Sequence, residues 1–215
     1  MNDLSRMYDR RFGSDAEFRD KMWKVLGGVF QKYVPEGAAV ADIGAGYCEF
    51  INNIKAGRKI AVDLNKDVKK FANKDVETII SSSTSMSRIA SGSVDVAFSS
   101  NFFEHLKRED IEKTIAEVHR ILKKGGRFLI LQPNIRFCYK DYWMFFDHVT
   151  PLDDRCLTEL LELNGFGIRE VKPRFLPYTT KGNLPKSVFL LKVYLKVSLL
   201  QSLIGKQCFI YAEKT

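Results

Sequence analysis

The sequence is poor in the residues that build metal and disulfide frameworks. Its four cysteines, Cys48, Cys138, Cys156 and Cys208, are scattered with no Cys-x-x-Cys pair, and it has only three histidines. Reduced thiols and no metal are therefore expected. No apolar run reaches the roughly 18 uncharged residues that a membrane-spanning helix needs. The opening stretch MNDLSRMYDRRFGSD is charged and lacks the apolar core of a secretory signal, which predicts a cytoplasmic address. There is no Gly-x-x-x-x-Gly-Lys-Ser/Thr loop, so a Walker-type nucleotide site is excluded. Internal repeats are absent, and the one biased patch, Ser81-Ser82-Ser83-Thr84-Ser85, is too short for a linker.

Acidic residues are scarce in the last quarter. From Phe166 to Thr215 there are nine Lys or Arg against two acids, Glu170 and Glu213, so almost the whole net charge of +8 lies there. Such asymmetry predicts a basic face towards an anionic phospholipid surface, a phosphorylated substrate or nucleic acid.

What is present is a single-domain length of 215 residues with 45% hydrophobic content, ample for a core. Helical and strand patterns alternate, which predicts a parallel sheet covered on both faces. An amphipathic helix is expected over 16–34. Strands are expected at 38–43, 58–63, 76–81, 94–99 and 126–132, with helices near 47–56, 66–73 and 109–123 between them. A helix over 153–163 is expected to be capped by Asp153 and stopped at Asn164-Gly165. Strands at 167–174 and 207–213 close the chain. The segment 176–206 is longer than a hairpin requires. If its run from Lys186 to Ile204 is one helix, Lys192 and Lys196 share a face while Phe189, Val193, Val197, Leu200 and Ile204 line another. That pattern suits either an insertion packed on the domain or a helix lying in a lipid headgroup layer.

The strongest local signal is Val40-Ala-Asp-Ile-Gly-Ala-Gly46, a β-branched run breaking into a glycine turn, followed by a second apolar run, Arg58–Asp63, that ends in an acid. Glycines are required where a backbone bends sharply against a ligand, and the terminal carboxylate of Asp63 can accept from both hydroxyls of a ribose. A dinucleotide turn wants a third glycine at the position occupied here by Glu49. Glu49 would repel a pyrophosphate but tolerate a cationic sulfonium, as would Asp42. The pattern favours S-adenosylmethionine over a nicotinamide nucleotide.

Five stretches in order carry a family resemblance: Asp42–Gly46, Asp63, Val94–Phe98 followed by Asn101–Leu106, Leu122–Phe128, and Asp147-His148 with Asn164–Phe166. Over roughly residues 20–175 the chain resembles the class I S-adenosylmethionine-dependent methyltransferases, in particular the subgroup of ubiquinone-biosynthesis and surface-glycan enzymes. The resemblance implies a Rossmann-like, doubly wound α/β domain over residues 1–215, with a mostly parallel seven-stranded sheet and an antiparallel last strand pair. It also implies a cofactor site formed by Asp42, Gly44, Ala45, Gly46, Asp63, Leu64, Ser83 and Asn101. Ser83 stands where many relatives have an acid beside the adenine amine; Met86 is a candidate for packing on that ring.

Methyl transfer needs the acceptor held about 3–3.5 Å from the methyl carbon, and oxygen acceptors gain from a nearby base. Loops at the carboxyl ends of the strands supply the candidates. His148 is the leading base, with Asp147 beside it in sequence and Glu104 a further candidate; His105 reads as a packing or supporting residue. The aromatic stretch 134–150, with Phe137, Tyr139, Tyr142, Trp143, Phe145 and Phe146, suits core and lid packing or the wall of an apolar acceptor pocket. The expected function is O-methylation of a small or lipid-linked metabolite. RNA methylation is an alternative encouraged by the basic tail, but the loop Ser100–Phe103 lacks the Asn/Asp-Pro-Pro-aromatic set that cradles a base amine. A catalytically silent cofactor-binding partner protein is a second alternative. The oligomeric state is left open.

Overall fold

The structure is a computed structural model and describes residues 16–178 and 187–215. The charged amino terminus and the start of the 186–204 run lie outside the described residues. Seven strands form one sheet in the order β3-β2-β1-β4-β5-β7-β6. The strands are β1 (Ala39–Ile43), β2 (Arg58–Asp63), β3 (Val76–Ile80), β4 (Val94–Ser100), β5 (Leu122–Pro133), β6 (Phe166–Leu176) and β7 (Gln207–Lys214). The first five are parallel; β7 enters antiparallel between β5 and β6. This is the doubly wound fold with the antiparallel last pair that the resemblance implies. The order reverses at β1, so the crevice beside it faces the carboxyl ends of β1 and β4, where ligands bind in such sheets.

The central strands are buried on both faces, and their side chains alternate between two apolar layers. In β5, Phe128 and Ile130 enter one layer while Leu129 and Leu131 enter the other. The first layer is closed by α4 (Arg108–Ile121) and α6 (Asp154–Leu163) through Ile111, Ile115, Val118, Leu157 and Leu161. The second is closed by α1 (Ala16–Phe30), which inserts Trp23, Leu26 and Phe30. Phe30 lies within 5.3–6.1 Å of the rings of Phe50, Phe98, Phe175 and Phe209. Burying aromatic rings of this size dominates core energetics. The Asp153 side chain accepts from the amides of Arg155 and Cys156 at 2.9 and 2.8 Å, capping α6 as the sequence predicts.

Several helices are shorter than the sequence pattern suggests. The first ends at Phe30 and continues only as a 3-10 turn over Gln31–Tyr33, before Pro35. The predicted 47–56 helix is a single turn, α2 (Glu49–Asn52), because Cys48 before it is left-handed (φ +57°). The predicted 66–73 helix is α3 (Val68–Phe71). The aromatic stretch contains α5 (Ile135–Tyr142). The 186–204 run is not one helix: Val197 is extended (φ −110°, ψ 97°) and separates α7 (Val188–Lys196) from α8 (Ser198–Ile204). The break turns Leu200 inward against the core with Leu191 and Leu195, away from Phe189 and Val193, with which the continuous helix grouped it and which are exposed. Tyr194 is buried and its hydroxyl donates to the carbonyl of Phe175 at 2.9 Å, fixing α7 to the end of β6. Gln207 pairs with Pro133 and Leu176, so this insertion sits at the same end of the sheet as the carboxyl ends of the parallel strands.

Candidate active site

The glycine turn after β1 is built as the sequence predicts. Gly44 and Gly46 have φ of +72° and +50°. The amides of Gly44 and Ala45 both donate to the carbonyl of Val62 at 2.9 and 3.1 Å, tying the turn to β2. A Cβ at Gly44 would lie 2.3 Å from a ring carbon of Phe102, so glycine is also required by the close approach of the loop after β4. That loop turns at Asn101, itself left-handed (φ +47°) and exposed, with its side-chain amide donating to the Ser100 hydroxyl.

Asp63 ends β2 facing this turn. Its Oδ2 accepts from the amide of Gly46 at 2.8 Å and its Oδ1 from that of Asn65 at 2.7 Å. Burial raises its pKa, and the amides of Asn65, Gly46 and Leu64 pull it back. Asp42 is almost fully buried and is pushed well above the usual carboxylate range by burial, with Asp63 and Glu49 adding to the effect. Among the described residues no Lys or Arg forms an ion pair with Asp42 or Asp63. Two buried carboxylates beside a glycine turn fit a ligand that brings a cation and a ribose diol, and they disfavour a pyrophosphate. The residues present therefore fit S-adenosylmethionine.

Some expected contacts are placed differently. Glu49 is not left facing a ligand cation, because the Arg19 guanidinium on α1 grips it, with Nε 2.8 Å from Oε1. Ser83 is buried and shares a 2.8 Å hydrogen bond with the hydroxyl of Thr114 on α4, so its side chain serves the packing of its loop on that helix. Met86 is fully buried in the core and is not a surface on which adenine could stack from solvent. From the same loop, Ser82 and Thr84 are half-buried and bonded to each other at 2.8 Å. Leu64 is 62% exposed beside Asp63 and Ala45 is buried within the turn.

The loop that carries Ser83 is clamped from α4. Glu117 accepts from the Met86 amide at 2.6 Å, and Arg120 donates to the carbonyls of Met86 and Ile89 at 3.0 and 2.9 Å. The two side chains also bond each other at 2.7 Å. The Arg120 hydrogen bond holds the Glu117 carboxyl below its ordinary value, against burial. Neither residue is singled out by the sequence, since Glu-x-x-Arg on a helix reads as a solvated pair. A signal exists only in the spacing that brings α4 beside residues 86–91.

The second half of the site gathers at the 3-10 turn Phe103–His105 after β4. Glu104 is buried; its Oε2 accepts from Nε2 of Gln132 at 2.9 Å, and its Oε1 lies 3.8 Å from Nε2 of His105. Burial raises the Glu104 pKa, against the pull of His105 and Gln132. Asp147 places Oδ2 3.0 Å from Nδ1 of His105. Burial opposes protonation of His105, but the carboxylates of Glu104 and Asp147 outweigh it and hold its pKa above the ordinary histidine value. His148 is buried, its ring centroid 4.9 Å from that of His105, with its Nδ1 3.5 Å from the Tyr178 hydroxyl. The three predicted catalytic residues are thus brought together. His105, read from the sequence as a packing or supporting residue, joins them through the Asp147 carboxylate. Backbone bonds from the Val149 and Thr150 amides to the Glu104 carbonyl lock the two segments together.

Of the aromatic stretch, only Tyr142 is fully buried, its hydroxyl donating to the Thr150 carbonyl. Tyr139, Trp143, Met144 and Phe146 are exposed, Phe146 to 93%. Core packing therefore holds fully for Tyr142 and in part for the half-buried Phe137 and Phe145, and the other rings are exposed.

Comparison with known proteins bears on the fold that carries these residues. Residues 41–130, from the glycine turn through most of β5, match the family described as "Methyltransferase domain". The match covers less than half of the chain. The methyltransferase fold extends over most of its length. A S-adenosylmethionine-dependent methyltransferase from Archaeoglobus fulgidus superposes with a TM-score of 0.62 at 21% identity, covering 89% of this chain and 94% of that one. A methyltransferase from Haloferax volcanii, solved in complex with the Trm112 methyltransferase activator, gives a TM-score of 0.68 at 17% identity over 94% of both chains. An uncharacterized protein of Methanocaldococcus jannaschii is 26% identical over 135 residues, 61% of this chain. The chain spans about half the length of that curated relative, with 52% of it covered.

Proposed function

We propose that the protein transfers the methyl group of S-adenosylmethionine to an oxygen of a small or lipid-linked acceptor. The observation that carries this reading is the cluster of Glu104, His105, Asp147 and His148, packed one turn beyond Phe102, whose ring rests on Gly44. S-adenosylmethionine brings a methyl carbon already activated by its sulfonium. The protein has to orient the acceptor, exclude water and receive a proton. The cluster offers two imidazoles and two carboxylates for that proton, whereas an acceptor without an ionisable proton would need none of them. Asp63 would hold the ribose, and Asp42 and Asp63 together would favour the positively charged donor over its neutral demethylated product.

A lipid-linked acceptor is supported by the surface at the same end of the sheet. Phe189, Leu190, Val193, Leu199 and Leu203 are exposed on α7 and α8, with exposed Lys192 and Lys196 among them. From residue 171 to 212 the chain has seven Lys or Arg and no acid. An apolar face studded with lysines suits an anionic headgroup layer, with rings and leucines at the acyl boundary and ammonium groups among phosphates. No helix among the described residues is long and apolar enough to cross a membrane.

Incubation with methyl-tritiated cofactor and fractionated extract tests the reading. Label is expected in a base-stable ether of the lipid or small-metabolite fraction; label confined to RNA would overturn it. Flotation with vesicles containing phosphatidylglycerol tests the surface. Binding at low salt should be lost in Lys192→Glu/Lys196→Glu, and failure of the wild-type protein to float would remove the membrane reading.

A further inference from the structure

The sequence offers no metal motif, yet the fold brings three ligand-type side chains to one point. One donor atom each from Glu104, His105 and His148 lies within 4.8 Å of the other two. We propose that these three residues bind a divalent first-row transition cation. The ligands come from two segments, the 3-10 turn after β4 and the stretch preceding α6, which the Val149 amide joins to the Glu104 carbonyl at 2.8 Å. The site is therefore set by backbone hydrogen bonds as well as by side chains.

The surroundings of each ligand match what metal-bound side chains use. A coordinating histidine typically engages its other ring nitrogen with a carboxylate, carbonyl or hydroxyl, which fixes tautomer and ring direction. Here Nδ1 of His105 meets the Asp147 carboxylate at 3.0 Å, leaving Nε2 directed to Glu104. Nδ1 of His148 lies 3.5 Å from the Tyr178 hydroxyl, and one oxygen of Glu104 is held by the Gln132 amide at 2.9 Å. A separate observation points to a ligand: Gln132 is fully buried, and its Oε1 has no hydrogen-bond partner among the described residues. A buried acceptor of this kind is normally satisfied, and a cation-bound water would satisfy it. Glu104, also buried, forms no ion pair with Lys or Arg among the described residues, so a cation would compensate its burial.

Two imidazoles and one carboxylate select zinc, manganese or iron over magnesium and calcium, which prefer oxygen ligands throughout. At metal–ligand distances near 2.1 Å, tetrahedral ligands stand about 3.4 Å apart, so the widest separation must close by about 1.4 Å. Three protein ligands leave a coordination position open, where an acceptor hydroxyl would have its pKa lowered. That role rests on the proposed methyl transfer; the binding itself does not.

The test is calorimetric titration of the full chain, stripped with EDTA, with zinc chloride and separately with manganese and magnesium chlorides. One equivalent of zinc is expected, with a Kd of about 1 μM or tighter and magnesium at least 100-fold weaker. His105→Ala/His148→Ala should lose at least 100-fold in zinc affinity. That double variant keeps all four cysteines, so adventitious thiolate binding remains in it and is subtracted. Asp147→Asn, a positioning change, should lose about 10–100-fold. Binding of S-adenosylhomocysteine, measured in each variant, reports that the fold is intact. Unchanged zinc affinity in the double variant, absence of a stoichiometric site, or equal affinity for magnesium would each overturn the proposal. Retained S-adenosylhomocysteine binding in those cases would leave the methyltransferase reading standing.

Discussion

Gly44 and Gly92 have nearly the same backbone conformation, with φ of +72° and +61°, but different surroundings. A Cβ at Gly92 meets nothing within 4 Å, whereas one at Gly44 falls 2.3 Å from Phe102 Cδ2 and within 2.9 Å of two more ring atoms. Changing each to alanine separates backbone strain from collision. Forcing an L-residue into the left-handed region costs about 1–2 kcal/mol, and that is the whole expectation for Gly92→Ala. Gly44→Ala carries the same strain and must also displace the Phe102 ring, adding about 1–3 kcal/mol as an overpacked contact. In a chain of this size 1 kcal/mol lowers the melting temperature by about 2–4 °C. Calorimetric melting should therefore show Gly44→Ala as the less stable variant by roughly 2–12 °C. The functional difference should be larger. Gly44→Ala moves the loop after β4 against the ligand turn and should weaken S-adenosylhomocysteine binding at least tenfold; Gly92→Ala should leave it unchanged. Equal melting temperatures and equal affinities would show that Phe102 does not rest on the turn.

Asp63→Asn removes a charged acceptor and should weaken S-adenosylhomocysteine by about 1.5–3 kcal/mol, roughly 10–150-fold by calorimetry. Arg120→Ala frees the carbonyls of Met86 and Ile89 and should raise the cofactor KM while kcat stays within a factor of about two; a kcat loss without a KM change would contradict the clamp. Because the folded Glu117 carboxyl is held below its ordinary value, its contribution to stability is complete above the unfolded pKa, near 4.3, and disappears as pH falls through the folded value. The urea midpoints of wild type and Glu117→Gln should differ at pH 7 and converge as the pH falls through the folded value. Asp153→Ala should cost about 1 kcal/mol through loss of the α6 cap, seen as a drop of about 2–4 °C.

The parallel core was legible because its signals are local. A β-branched run, a glycine turn and a terminal acid specify β1, β2 and the ligand crevice without reference to distant residues. The cap at Asp153 is of the same kind. The short helices were less legible, since the left-handed Cys48 and the extended Val197 interrupt stretches whose apolar periodicity continues through them. The direction in which Ser83 points depends on Thr114, thirty-one residues away, and the clamp from Glu117 and Arg120 is equally non-local. The pairing of Asp147 with His105 illustrates the same limit. Adjacency to His148 does not decide which imidazole the carboxylate faces, and the packing of two loops brings it to His105, 42 residues away. The metal-type cluster was invisible for that reason, as its ligands lie in two separate dipeptides.

The central claim is that a sulfonium methyl donor binds over the glycine turn with its ribose on Asp63. Isothermal titration of the purified chain with S-adenosylmethionine and S-adenosylhomocysteine tests it directly. The account predicts one equivalent of each in the wild-type protein and loss of both in Asp63→Ala. No binding of either, with clear uptake of a nicotinamide dinucleotide, would contradict it.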